Sequence, residues 1–343
     1  MNRQYGAMAG LAIVLVVLNH AIVYGLELSP VTGALLVFLN ILKAFGVYAV
    51  PTFLFISGAF VAYASRGKAS LSPKFIWSSL RHILLPYLLW TFIAYLDLVF
   101  IRGGIFSVSG YIKNVMVGFP YHFVPLIIFY YVLSPLLVKI GRRYGGLLLL
   151  AIGFYQLFLL IILGTDMSSV EVPADWTRFL ALPVLRNTMK VWGIYFPMGF
   201  LFSLHNARLR PYLTRFRLVF IMVTAVLFIV SILRIFSSDI TSWIHIILPL
   251  PFMFVLPVIQ RTSIPKVRQF EKIGRRAYGL YLVHLIVLEI LLFAISSFVP
   301  GLAQVPLIIY PLFFVCALVI PLFIMERIAH QPVTRRIYRY VFG

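Results

Sequence analysis

Read for the alternation of apolar and polar positions, the chain is a succession of long apolar runs separated by short, mostly basic intervals. Ten runs approach the ~20 residues that a helix needs to cross a bilayer. They fall at roughly 5–26, 41–64, 81–101, 121–139, 145–163, 188–204, 217–236, 241–260, 278–298 and 304–326, the fourth and sixth being short. Pro86 stands near the start of the third run, and Pro249, Pro251 and Pro257 interrupt the eighth. Membrane helices tolerate such prolines where neighbours re-satisfy the freed backbone groups. No linker, repeat or polar stretch long enough to fold alone divides the chain, so residues 1–343 read as one transmembrane domain. The longest polar interval, about 164–187, contains GTDMSSVEVPADW and reads either as a lid or as a solvated connection.

Composition fixes the class. With 62% hydrophobic and only 11% charged residues, and a mean hydropathy of +1.02, the chain has too little polar surface to cover a soluble domain. The expectation is an all-α, polytopic transmembrane helix bundle. The first run is too long for a signal peptide and lacks a basic leader and a small-residue cleavage site, so it reads as a retained helix.

The net charge of +20 would suggest nucleic acid in a soluble protein. Distributed over ten spans with the first residue inside, 22 of the 29 basic residues fall on the inner side. Six of the nine acids fall on the outer side: Glu27, Asp97, Asp166, Glu171, Asp175 and Asp239. That asymmetry follows the positive-inside rule and predicts both termini in the cytoplasm. It also accounts for the charge without a nucleic-acid partner, and it predicts a multi-pass protein of the inner or plasma membrane.

Against this background a few side chains are out of place. The first run, LAIVLVVLNHAIVYGLE, carries Asn19 and His20 inside it and Glu27 near its end. An ionisable group in a membrane helix costs about 2.5–3.5 kcal/mol on insertion scales, so each is a functional candidate. Orientation places His20, Glu27, Lys43, Asp97, Arg102 and His122 in one leaflet, on four helices. A histidine suits removal of a proton from a hydroxyl at neutral pH, and Glu27 or Asp97 is expected to orient it. Glu27, Lys43, Asp97 and Arg102 also fit a plainer description, as markers of helix ends in the headgroup region. His284 and Glu289 lie within the ninth run, as packing residues or as part of the same chemistry.

On the inner side, Arg81-His82 opens the third run after Arg66, Lys68 and Lys74, and Lys272, Arg275 and Arg276 precede the ninth. Such clusters fit the phosphates of a cytosolic donor, anionic lipid headgroups, or topology alone. The seven histidines are scattered, without HxxxH or HxxE spacing, so no metal site is expected. The lone Cys316 excludes an intrachain disulfide, and neither a P-loop nor a GxGxxG fingerprint occurs.

Six blocks together resemble the acyltransferase 3 family of membrane acyltransferases. They are GLAIVLVVLNHA ending at His20, PTFLFISGAF (51–60), RHILLPYLLW (81–90), YHFVPLIIFYYVLSPLL (121–137), YFPMGFLF (195–202) and IGRRAYGLYLVHLIVL with His284. They occur in the family's order over most of the chain. The resemblance implies a membrane-only O-acyltransferase that moves an acyl group, often acetyl or succinyl, from cytosolic acyl-CoA to a hydroxyl of a saccharide or lipid-linked acceptor. It implies His20 as the essential histidine, His122 as a second, and Arg81 in a basic donor motif, to which Arg275 and Arg276 are added as donor-binding candidates. No bound cofactor is expected beyond acyl-CoA as substrate. Two positions depart from the family pattern: Ala9 and Ser78 stand where basic residues are usual. The competing readings are a saccharide or lipid-precursor flippase, which would use no acyl-CoA, and a non-catalytic membrane subunit, which would be indifferent to His20→Ala.

Overall fold

The computed structural model describes residues 3–66, 71–163, 184–236, 247–331 and 334–343. Every regular element among them is helical. The chain begins with α1 (Arg3–Leu28), which is apolar on all sides and accordingly buried on several faces. A second apolar unit follows as α2 (Gly33–Ala44), a 3₁₀ turn (Phe45–Tyr48) and α3 (Ala49–Ala64). The sequence suggested one uninterrupted helix from residue 41. The break falls directly after the Lys43 carbonyl, at the Phe45 cap. The Asn19 side chain of α1 donates to that carbonyl at 3.3 Å.

Helix α4 (Pro73–Phe100) starts on a proline at its first position, with the Ser72 hydroxyl accepting from Phe75 N–H. Then come the short α5 (Val108–Val117) and the long α6 (Val124–Ile162). Within α6, Tyr144 leaves helical geometry (φ −126°, ψ 35°), so the fourth and fifth apolar runs meet end to end at a kink. The remainder comprises α7 (Arg186–Trp192), α8 (Tyr195–Leu204), α9 (Asn206–Arg215), α10 (Arg217–Phe236) and α11 (Pro249–Val255). It closes with α12 (Val267–Gly274), α13 (Ala277–Phe298), α14 (Pro306–His330) and α15 (Arg335–Phe342).

Six helical units among the described residues are long and apolar enough to span a membrane, or seven if α9 and α10, bent by 67°, count as one. Ten were expected. The difference arises where two runs share the kinked α6, and where the sixth and eighth runs form only short apolar helices, Tyr195–Leu204 and Pro249–Val258. The interval 164–183, most of the polar stretch read as a lid or a connection, lies outside the described residues.

Two helix crossings set the frame. At the contact of α3 with α8, a methyl group on Gly58 would overlap the Phe196 carbonyl oxygen, and one on Gly199 would overlap that of Phe55. Gly10 and Gly274 do the same for α1 against α12. Lipid offers no hydrophobic drive between helices, so backbone approach at small residues supplies the packing. Buried tyrosines then tie elements together through backbone carbonyls: Tyr121 donates to Leu282 O at 2.5 Å and Tyr278 to Ile83 O at 2.7 Å.

Candidate active site

The expected histidine, His20, lies two-thirds of the way along α1 and reaches a cavity of about 480 Å³. Around it stand Asn19, Lys43 at the end of α2, Gly46 and Val50 of the broken second unit, His122 and Tyr281. The backbone explains why they meet. The helix break at Phe45–Tyr48 turns Lys43 and Gly46 inward, and a methyl on Gly46 would press on the Asn19 amide nitrogen. His122 is carried into place by Tyr121, whose phenol is anchored on α13. Phe123 packs on Tyr281 with ring centroids 4.4 Å apart, closing the floor.

The ring packed beside His20 is another imidazole. His284 of α13 lies with its ring centroid 5.3 Å from that of His20. It is fully buried, and its Nδ1 lies 3.1 Å from the Leu280 carbonyl oxygen. A carbonyl only accepts, so Nδ1 carries the hydrogen and, in the neutral ring, Nε2 is an acceptor. That Nε2 has no hydrogen-bond partner among the described residues. The Ser231 hydroxyl, in the wall of the same cavity, is likewise buried without a partner.

The carboxylates expected beside His20 lie elsewhere. Glu27 follows it by seven residues, about 10 Å along the helix axis. Its partner is Arg102, at 4.0 Å. Arg102 in turn makes a 2.7 Å contact with Glu289, which also accepts from the Tyr24 phenol at 2.6 Å. Burial works against the Arg102 charge, but Glu289 and then Glu27 outweigh it and raise its pKa above the ordinary value. Asp97 is within electrostatic reach of Glu289 and Arg102. This group joins the ends of α1 and α4 to the middle of α13, and neither Glu27 nor Asp97 lines the His20 cavity.

At the opposite, basic end of the bundle the expected donor residues separate. Arg81 donates to the Tyr340 hydroxyl at 3.2 Å and, with Ser78 and His82, lines a pocket of about 810 Å³ completed by α15. Arg276 pairs with Glu326 at 3.5 Å, and Arg275 is exposed. A different cavity, about 740 Å³, brings together Tyr5 of α1, Tyr63 of α3 and Arg66 just beyond it, Ser203 of α8, and Asn206 and Arg210 of α9. Arg66 and Arg210 are 144 residues apart, and nothing in the sequence paired them. Only the α3–α8 crossing makes them neighbours. Among the described residues no group of three or more His, Cys, Asp or Glu side chains could hold a metal ion.

A family described as an acyltransferase domain (acyl transf 3) matches residues 7–326, nearly the whole chain. Neither the curated proteins nor the solved structures contain a match to this chain.

Proposed function

The chain belongs to the acyltransferase 3 family and is an acyltransferase with several apolar membrane helices, and from that premise we propose a membrane O-acyltransferase with His20 as its general base. It moves an acyl group, acetyl or succinyl, from cytosolic acyl-CoA to a hydroxyl of a saccharide or other cell-surface acceptor. The observation that carries this reading is the cavity at His20, where His20, Lys43 and His122 from separate elements converge on a space with no carboxylate among the described residues.

In the reaction, the acceptor oxygen attacks the thioester carbonyl carbon as its proton passes to His20. The tetrahedral intermediate collapses with cleavage of the carbon–sulfur bond, and the imidazolium returns the proton to the departing thiolate. His284 has its Nε2 unpartnered and its ring 5.3 Å from that of His20, so we assign it a positioning role, with Nε2 accepting from the other His20 nitrogen once the rings draw together on substrate. Lys43 and His122 are suited to stabilise the negative charge that develops on the carbonyl oxygen. Glu27, Asp97 and Arg102 frame the outer mouth.

The donor's phosphates are assigned to Arg66 and Arg210. Residues 5, 9, 12 and 16 of α1 follow helical spacing and share one face, so Tyr5 in the basic cavity and Val16 in the His20 cavity lie on one strip. Between them stand Ala9 and Ala12, both small and buried. The thioester arm runs along that strip. Ala9, where relatives usually carry a base, leaves room for it.

The same reading takes the bundle as ten crossings with both ends in the cytoplasm. The charge distribution supports it, as does the Tyr144 kink that divides a helix of 39 residues.

The test uses the whole protein in nanodiscs with labelled acetyl-CoA and succinyl-CoA, following free thiol release. Wild type is expected to release thiol, and a folded His20→Ala variant to bind the donor without releasing it. Arg66→Gln with Arg210→Gln should raise the KM for acyl-CoA about tenfold or more with kcat little changed, the loss of charged contacts. A folded wild type that neither binds nor cleaves either thioester would point instead to a flippase.

A further inference from the structure

The pocket between α4 and α15 is left over by this chemistry. It is lined by Ser78, Arg81 and His82 of α4 and by Arg336, Arg339 and Tyr340 of α15. Helix α15 is fixed firmly against the bundle: Trp90 of α4 donates to the Val341 carbonyl at 2.7 Å, and Phe342 is buried against α13 and α14. Its arginines are thus held in position. No carboxylate lines the pocket, and none of its three guanidiniums pairs with one among the described residues. Glu326, the acid nearest in sequence to Arg336, is taken up by Lys272, Arg276 and His330. Three unneutralised guanidiniums beside the Tyr340 phenol make a site for a phosphate group.

Where the pocket opens identifies the bearer of that phosphate. Arg81 lies two turns inside the basic end of a membrane-spanning helix. Along the same face of α4, at helical spacing, follow Leu85, Leu89 and Phe92, each more than a third exposed. This apolar strip faces outward from the bundle, and Trp77 and Ile337 add exposed apolar surface beside the arginines. The cavity with Arg66 and Arg210, by contrast, shares the α1 strip that leads inward to His20. A phosphate next to an outward apolar track is the arrangement of a lipid headgroup above its acyl chains.

We propose that the α4–α15 pocket binds the headgroup phosphate of an anionic phospholipid, separately from the acyl-transfer site. The inference does not depend on acyl transfer and survives if that reading fails.

The full protein, in mild detergent, is titrated with phosphatidylglycerol or phosphatidylcholine, and bound lipid is counted by native mass spectrometry. Free coenzyme A and inorganic phosphate serve as soluble competitors. The expected result is one tightly held phosphatidylglycerol, little phosphatidylcholine, and weak competition by either soluble phosphate. Arg336→Gln with Arg339→Gln should weaken retention about thirtyfold, from two near-surface arginines. Arg81→Gln, on the other wall, should act in the same direction, whereas Lys139→Gln, exposed and outside every pocket, should not. Thermal unfolding of each variant identifies any that misfold. Equal retention by folded variants would overturn the proposal, as would equal retention of the two lipids. One-for-one displacement by coenzyme A would also overturn it, making the pocket a donor site.

Discussion

Two polar groups lie near one another in this apolar bundle, and they have been treated in opposite ways. Around Glu289 the polar atoms are engaged: Arg102 and Tyr24 converge on its carboxylate, and Glu27 stands beyond Arg102 at 4.0 Å. Around His20, partners are missing among the described residues: the buried Nε2 of His284 and hydroxyl of Ser231 have none, and no described carboxylate lines the cavity that Lys43 faces. Both groups carry the cost of taking polar atoms out of water. The first recovers that cost within the folded chain and fastens the ends of α1 and α4 to the middle of α13. In the function proposed above, the second recovers it when a substrate arrives.

The sharpest separation of the two comes from His20→Ala. Loss of the general base should reduce turnover about 10²–10⁴-fold, with thermal unfolding unchanged. Glu289→Gln should do the reverse. It weakens two hydrogen bonds to one carboxylate and should cost about 1–3 kcal/mol in denaturant unfolding, with kcat retained within a few-fold. His284→Phe keeps the bulk but removes Nε2, and should lower kcat on the order of tenfold, the worth of one hydrogen bond. His284→Gln, which can still accept, should recover part of that loss while KM for acyl-CoA stays put; a purely packing role would favour Phe over Gln. The smallest effect belongs to Glu27→Gln. A half-exposed pair at 4.0 Å is worth under about 1 kcal/mol. A large loss of turnover in that variant would return Glu27 to the chemistry and break the comparison.

The sequence revealed these groups unevenly. His20 was legible because an ionisable side chain in an apolar run stands out, whatever surrounds it. The family was legible too, since six ordered blocks carry it, and the match over residues 7–326 agrees. What periodicity could not give was neighbourhood. His20 and His284 are 264 residues apart, and a seven-residue spacing on one helix made Glu27 look closer than it is. Lys43 looked like a helix-end marker because nothing in an apolar run announces a 3₁₀ break. Arg102 read as a helix-end marker or site residue and Glu289 as packing or chemistry, and their pairing across 187 residues was not visible in the sequence. The break expected between residues 139 and 145 does fall at the Tyr144 kink, within the polar stretch KIGRRYGG, but the two runs stay joined in one helix, which periodicity could not show.

The most direct test compares two variants side by side, His20→Ala and Glu289→Gln, measuring thiol release from acyl-CoA and the unfolding midpoint on the same nanodisc preparations. The account predicts a crossed result: the first loses turnover and keeps its midpoint, and the second loses midpoint and keeps turnover. If His20→Ala unfolds early while the surviving folded protein still cleaves the thioester, the unpaired cluster is structural and His20 is not the base.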